Sequence, residues 1–169
     1  MDEAAPRRWS VGRVAAVVVV LGIVGMWAYI FSRTGREKPI DQLDDPTFAE
    51  QAQPLCEAAT EDLIGATPAR TPDARANELE RANDRLQALV GELAAIAPER
   101  GGDADLVGQW LDDWDTYLGD RDEYVEALRR DGDAAEFLVT PRAGRQITLT
   151  MEHFAEINDM PDCAPPGDV

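Results

Sequence analysis

Only one lysine, one histidine, two serines and two cysteines occur among 169 residues. Each shortage removes a class of chemistry. Both serines, Ser10 and Ser32, flank a long apolar run, so neither sits in a strand-to-helix nucleophile turn. His153 stands far from Cys56 and Cys163 in sequence, without any usual zinc-ligand spacing. No glycine-rich phosphate loop is present. Asp131, Asp133 and Glu136 have only a fragment of a calcium-loop pattern, without its glycine and remaining ligands. No catalytic residue, metal ligand or cofactor is assigned, and the expectation is a non-enzymatic protein.

Basic charge is the next thing in short supply. With 16 Lys and Arg against 33 Asp and Glu, the net charge is −17. The imbalance lies downstream. Residues 39–169 hold 30 acids and 10 arginines, a net charge of −20, with no lysine. Such a surface repels nucleic acid and anionic headgroups, so no nucleic-acid partner is expected. It favours basic partners or cations, or simply serves solubility.

What the chain does have is an apolar segment. Val14 to Phe31 reads VAAVVVVLGIVGMWAYIF, eighteen residues without a charge. At about 1.5 Å per residue, a helix of this length spans roughly 27 Å, close to the thickness of a bilayer core. A cleaved signal peptide has a shorter apolar region and a small-x-small cleavage site. Bulky Trp27, Tyr29, Ile30 and Phe31 precede Ser32-Arg33-Thr34-Gly35-Arg36, and no such site is found. The segment therefore reads as an uncleaved anchor in the lipid bilayer. Trp9 and Arg13 before it, and Trp27, Tyr29 and Arg33 at its far end, suit the two membrane interfaces. The flanking charges do not set orientation: Arg7, Arg8 and Arg13 balance Arg33, Arg36 and Lys38. A thirteen-residue tail ahead of a long C-terminal part favours an exported domain at the plasma membrane, with the tail inside.

The expected organisation is a tail (1–13), a transmembrane helix (14–31), a linker (32–46), a helical domain (47–163) and a C-terminal tail (164–169). About 120 residues suffice for one modest core. Cys56 and Cys163 lie near opposite ends of that domain and are candidates for a disulfide in an oxidising compartment, against the alternative of two buried thiols. Closing a loop of about 107 residues would stabilise the fold by up to roughly 4–5 kcal/mol in the chain-entropy model.

The fold class read from periodicity is mainly α: a transmembrane helix, then a bundle of three to four helices with one short β-hairpin. The first bundle helix starts near Asp45-Pro46, and Pro54 either kinks it or marks its true start. The second has Thr71 as cap, Pro72 in the first turn and a seam of Leu79, Ala82, Leu86, Leu89, Leu93 and Ile96. That seam packs inside its own bundle or pairs as a coiled coil. The third runs from about Asp103 to Arg130, with Asp112, Asp115, Asp122 and Glu126 as an acidic outer face and Glu126–Arg130 as an i,i+4 pair. Phe137–Thr140 and Gln146–Leu149 read as the hairpin strands around a Pro141–Gly144 turn. Thr150 then caps a short helix, Glu152 to Asn158.

The third helix carries the candidate site. Trp110, Trp114, Tyr117, Arg121 and Tyr124 share one stripe. An arginine within an apolar stripe requires a partner, because an unpaired buried charge is costly. Asp113 or a C-terminal acid is the expected counter-charge. Either the stripe is core with a structural ion pair, or it lines a groove where Arg121 meets an anionic ligand or partner group.

Trp110-Leu111-x-x-Trp114-x-x-Tyr117-Leu118-x-x-Arg121, with Phe154-Ala155-x-x-Asn158-x-Met160-x-x-Cys163 downstream, resembles a group of uncharacterised actinobacterial single-span membrane proteins. The likeness covers most of the chain, including the anchor and Cys56. It implies the single-domain layout but no activity, substrate or catalytic residue. The expected role is interaction with an unidentified envelope protein; the alternative is ligand binding or sensing in the aromatic and arginine groove.

Overall fold

A computed structural model describes residues 11–34, 38–61 and 69–167. Among the described residues five helices carry the fold: α1 Val11–Thr34, α2 Thr47–Thr60, α3 Pro72–Ile96, α4 Gly102–Asp131 and α5 Ile147–Ile157. A two-stranded antiparallel hairpin, β1 Pro141–Arg142 and β2 Arg145–Gln146, precedes α5. Short 3-10 turns follow α4 and α5. Contacts divide the chain into two compact units, Met1–Pro39 and Ile40–Val169.

Within the first unit, Gly12–Ser32 is long and apolar enough to cross a membrane, with a mean hydropathy of 2.5 and no part of it buried. Arg13, Trp27 and Tyr29 are exposed on α1, and Arg33 lies in its last turn. Trp27 stacks on Phe31 with ring centroids 5.7 Å apart. Trp9 lies outside the described residues.

In the second unit, α3 and α4 pack along the longest seam, with α2, α5 and the last 3-10 turn closing the core. Helix α3 starts as its sequence dictates: Thr71 Oγ1 accepts from the Ala74 amide at 3.3 Å, and Pro72 occupies the first helical position. Its Leu79, Ala82, Leu86, Leu89 and Leu93 are all buried, and Ile96 is half-buried. The seam thus faces this chain's own helices. Helix α4 runs for 30 residues between Gly101 and Gly132, whose φ values of 90° and 63° favour glycine.

Helix α2 begins one residue later than its cap was expected to set. Asp45 Oδ1 accepts from both the amide and the hydroxyl of Thr47, at 2.9 and 2.6 Å. The helix runs through Pro54 without interruption, so Pro54 is not its start. The segment read as a linker is partly core. Leu43 is buried, and the amides of Asp44 and Asp45 both donate to the Asp103 carboxylate at 2.9 Å. Asn158 fixes the same stretch: its Oδ1 accepts from Leu43 N at 2.8 Å, while its Nδ2 donates to the Asp41 and Phe154 carbonyls.

The hairpin is shorter and shifted. Its two-residue turn is Ala143-Gly144, with φ of 49° and 79°, which matches the twist of two tightly joined strands. Ile147–Leu149, expected as strand, opens α5 instead. Ile147, Met151, Phe154 and Ala155 are buried at helical spacing, and that burial outweighs the local β preference of Ile147 and Thr148. Helix α5 therefore starts at Ile147 rather than being capped by Thr150.

Cys56 and Cys163 form a disulfide, with Cα atoms 5.0 Å apart and both residues fully buried. Beside it, Gln53 and Asp162 pair reciprocally: Gln53 Nε2 donates to the Asp162 carboxylate, and Asp162 N donates to Gln53 Oε1 at 3.2 Å. The C-terminal segment is held as far as Pro166, whose carbonyl accepts from the Tyr117 hydroxyl at 3.1 Å.

Candidate functional site

The stripe on α4 is sealed. Trp110, Trp114, Tyr117 and Arg121 are each at most 2% exposed. The rings of Trp110, Trp114 and Tyr117 form a continuous aromatic core. Phe48 and Trp114 meet Trp110 edge-on at 6.2 and 6.1 Å, and Phe154 stacks on it at 5.4 Å. Trp110 Nε1 donates to the Met151 carbonyl at 3.3 Å. Of the two alternatives for the stripe, these four residues lie in the core and do not line an open groove. α5, Phe137 and the C-terminal segment cover the face.

Arg121 is buried by being bonded. Its Nε donates to Asn83 Oδ1 at 2.6 Å, and Nη1 donates to the Tyr117 hydroxyl at 3.2 Å. Its guanidinium carbon lies 5.6 Å from the Tyr117 ring centroid, a cation–π distance. Asn83 Nδ2 in turn donates to Asp122 Oδ1 at 2.7 Å. One α3 amide thus bridges two consecutive α4 residues. Asp113, expected as a counter-charge for Arg121, instead pairs with Arg142 of the hairpin. That pair anchors β1 to the buried face of α4.

Tyr124 departs from the rest of the stripe. It is half-buried, and its ring lies 5.4 Å from that of Phe137. Both Tyr124 and Leu138 line a cleft of about 900 Å³ between α3, the second half of α4 and residues 134–138. The cleft is strongly acidic. Among the described residues eight Asp and Glu line it, including Glu80, Asp84, Glu123 and Glu136, against Arg129 and Arg130. Both arginines are engaged. Arg129 meets Glu80 at 2.8 Å and Glu126 at 3.8 Å, and Arg130 meets Asp131 at 2.8 Å. The Glu80 hydrogen bond holds the Arg129 guanidinium above its ordinary range. The expected Glu126–Arg130 pair is therefore replaced by Arg129–Glu126, because Arg129 also reaches Glu80 across the helix pair.

One wall of the cleft is the chain between α4 and β1. Residues 135–140 form no helix or turn; Ala135 is extended, Phe137 and Val139 pack inward, and Leu138 is 73% exposed. Asp120 holds its end, accepting from the Thr140 amide and hydroxyl at 2.7 Å each. The Thr140 carbonyl accepts from Ile147 N at 3.2 Å. There the ladder stops, because β2 gives way to α5. Among the described residues, the backbone groups of Glu136 to Val139 have no hydrogen-bond partner.

The cleft was not foreseen. Asp122 and Glu126 read as a solvated outer face, and only the packing of α3 sets Glu80 and Asp84 opposite them. Acids at i,i+4 on two separate helices, Glu80–Asp84 and Asp122–Glu126, were the available signal. His153 is exposed on α5. No family model matches the chain, and no curated protein or solved structure does.

Proposed function

We propose that this chain is a membrane-anchored, extracytoplasmic protein of the cell envelope that works by binding another protein rather than by catalysis. The observation that carries the reading is the 21-residue apolar helix Gly12–Ser32, none of it buried, on a chain whose other unit is closed by a disulfide. A helix apolar on every side must bury that surface, and a bilayer core matches its length. Disulfides persist in oxidising compartments, which supports the exported placement of the bundle. The strongly acidic surface supports a basic partner.

The ligand-binding alternative relied on an open groove at Arg121. With Arg121, Trp110, Trp114 and Tyr117 in the core, that alternative loses its support. The deciding experiment is crosslinking in the native membrane followed by partner identification. A reproducible protein partner on the C-terminal domain is the expected result. Recovery of the uncrosslinked chain alone would contradict the reading.

A further inference from the structure

The hairpin is lopsided, and the imbalance leaves a strand edge unused. β1 is preceded by six residues, 135–140, that form no helix or turn, whereas β2 is followed at once by α5. Residues 136–139 alternate in and out as a strand does, yet their amides and carbonyls lack partners among the described residues. An unpaired extended edge is a template for one more strand. Here the edge borders the acidic cleft, which Glu136 and Leu138 themselves line.

The geometry points to β-augmentation: Glu136–Val139 receives an extended, basic segment of another protein. Main-chain hydrogen bonds to 136–139 would hold the segment. Alternate Lys or Arg side chains would enter the cleft toward Glu80, Asp84 and Glu123, with their aliphatic stems against Leu138 and Tyr124. Charge selects this occupant over a second copy. Two copies paired edge to edge would bring two acidic clefts together, and like charges opposite one another are destabilising.

This proposal rests on the reading of the chain as an interaction module and adds a surface to it. The test uses the full chain in phosphatidylcholine nanodiscs and a blocked heptapeptide of alternating Lys and Val as probe. Hydrogen exchange at the amides of 136–139 is followed by NMR during titration. Slowed exchange there is expected, with binding weakened about tenfold or more by Glu123→Lys and by added salt. A probe N-methylated at alternate residues should lose the protection, since it cannot complete the ladder. Unchanged exchange at saturation overturns the proposal. So does protection that survives N-methylation, or protection that appears without peptide as the protein concentration rises, which would mark a second copy. Failure of this test with a protein crosslinked elsewhere on the domain removes the surface and leaves the interaction role standing. Loss of every crosslink removes the role itself.

Discussion

Asn83 and Arg121 meet across the α3–α4 seam, Oδ1 to Nε at 2.6 Å, with both side chains buried. The second half of the Asn83 amide is committed to Asp122 at 2.7 Å. An amide with its oxygen toward a cation and its nitrogen toward a carboxylate has one sensible orientation. It fixes the axial register of the two longest bundle helices.

Replacing Asn83 with leucine should therefore cost about 2–3 kcal/mol, because the Nε of Arg121 loses its acceptor in the core. Urea unfolding of the variant should show a lower midpoint with an unchanged slope. Asn83→Asp, which keeps an acceptor for Arg121 but faces Asp122 with an oxygen, should fall between the two.

The Cys56–Cys163 bond should be present in protein taken from cells. Alkylation without reduction should leave the mass unchanged, and two added groups would contradict the pairing. Cys163→Ser should lower stability by about 2–5 kcal/mol. The loop it opens spans 107 residues, and it frees the segment that supplies the Pro166 carbonyl to Tyr117.

Asn158 ties the start of the folded unit to the end of α5 through Leu43, Asp41 and Phe154. Asn158→Ala should cost about 1–3 kcal/mol by leaving these buried groups short of partners. Hydrogen exchange at the Leu43 amide should rise before that of the α3–α4 seam.

The Thr47 hydroxyl, then the Thr47 amide, hold the Asp45 carboxyl below its ordinary value of 3.8. A carboxyl depressed on folding contributes stability that is fully present above the unfolded value and is lost as pH falls through the folded one. The loss should therefore be confined to acid, below about pH 4. In Thr47→Val, which removes the larger cause, the Asp45 carboxyl resonance should titrate closer to the ordinary value.

Local signals explain which elements were legible in advance. Thr71, Pro72 and leucines spaced three and four apart specify α3 without help from the rest of the chain. Two cysteines allow one pairing. The α5 boundary was missed because Ile147 and Thr148 favour strand locally, while the burial of Ile147, Met151 and Phe154 that makes them helical is tertiary. Arg121 announced that it needed a partner, but Asn83 lies 38 residues away and nothing local marks it. The acidic cleft needs two helices and an extended segment together, so no window of sequence contains it.

The central claim is the proposal that α1 spans a membrane and that the acidic bundle lies outside it. Glu99 is well suited to test it, since its side chain is 88% exposed between α3 and α4, away from the cleft. A membrane-impermeant maleimide applied to intact spheroplasts should label Glu99→Cys fully, with no gain on permeabilisation. Labelling that appears only after permeabilisation would place the bundle inside and contradict the account.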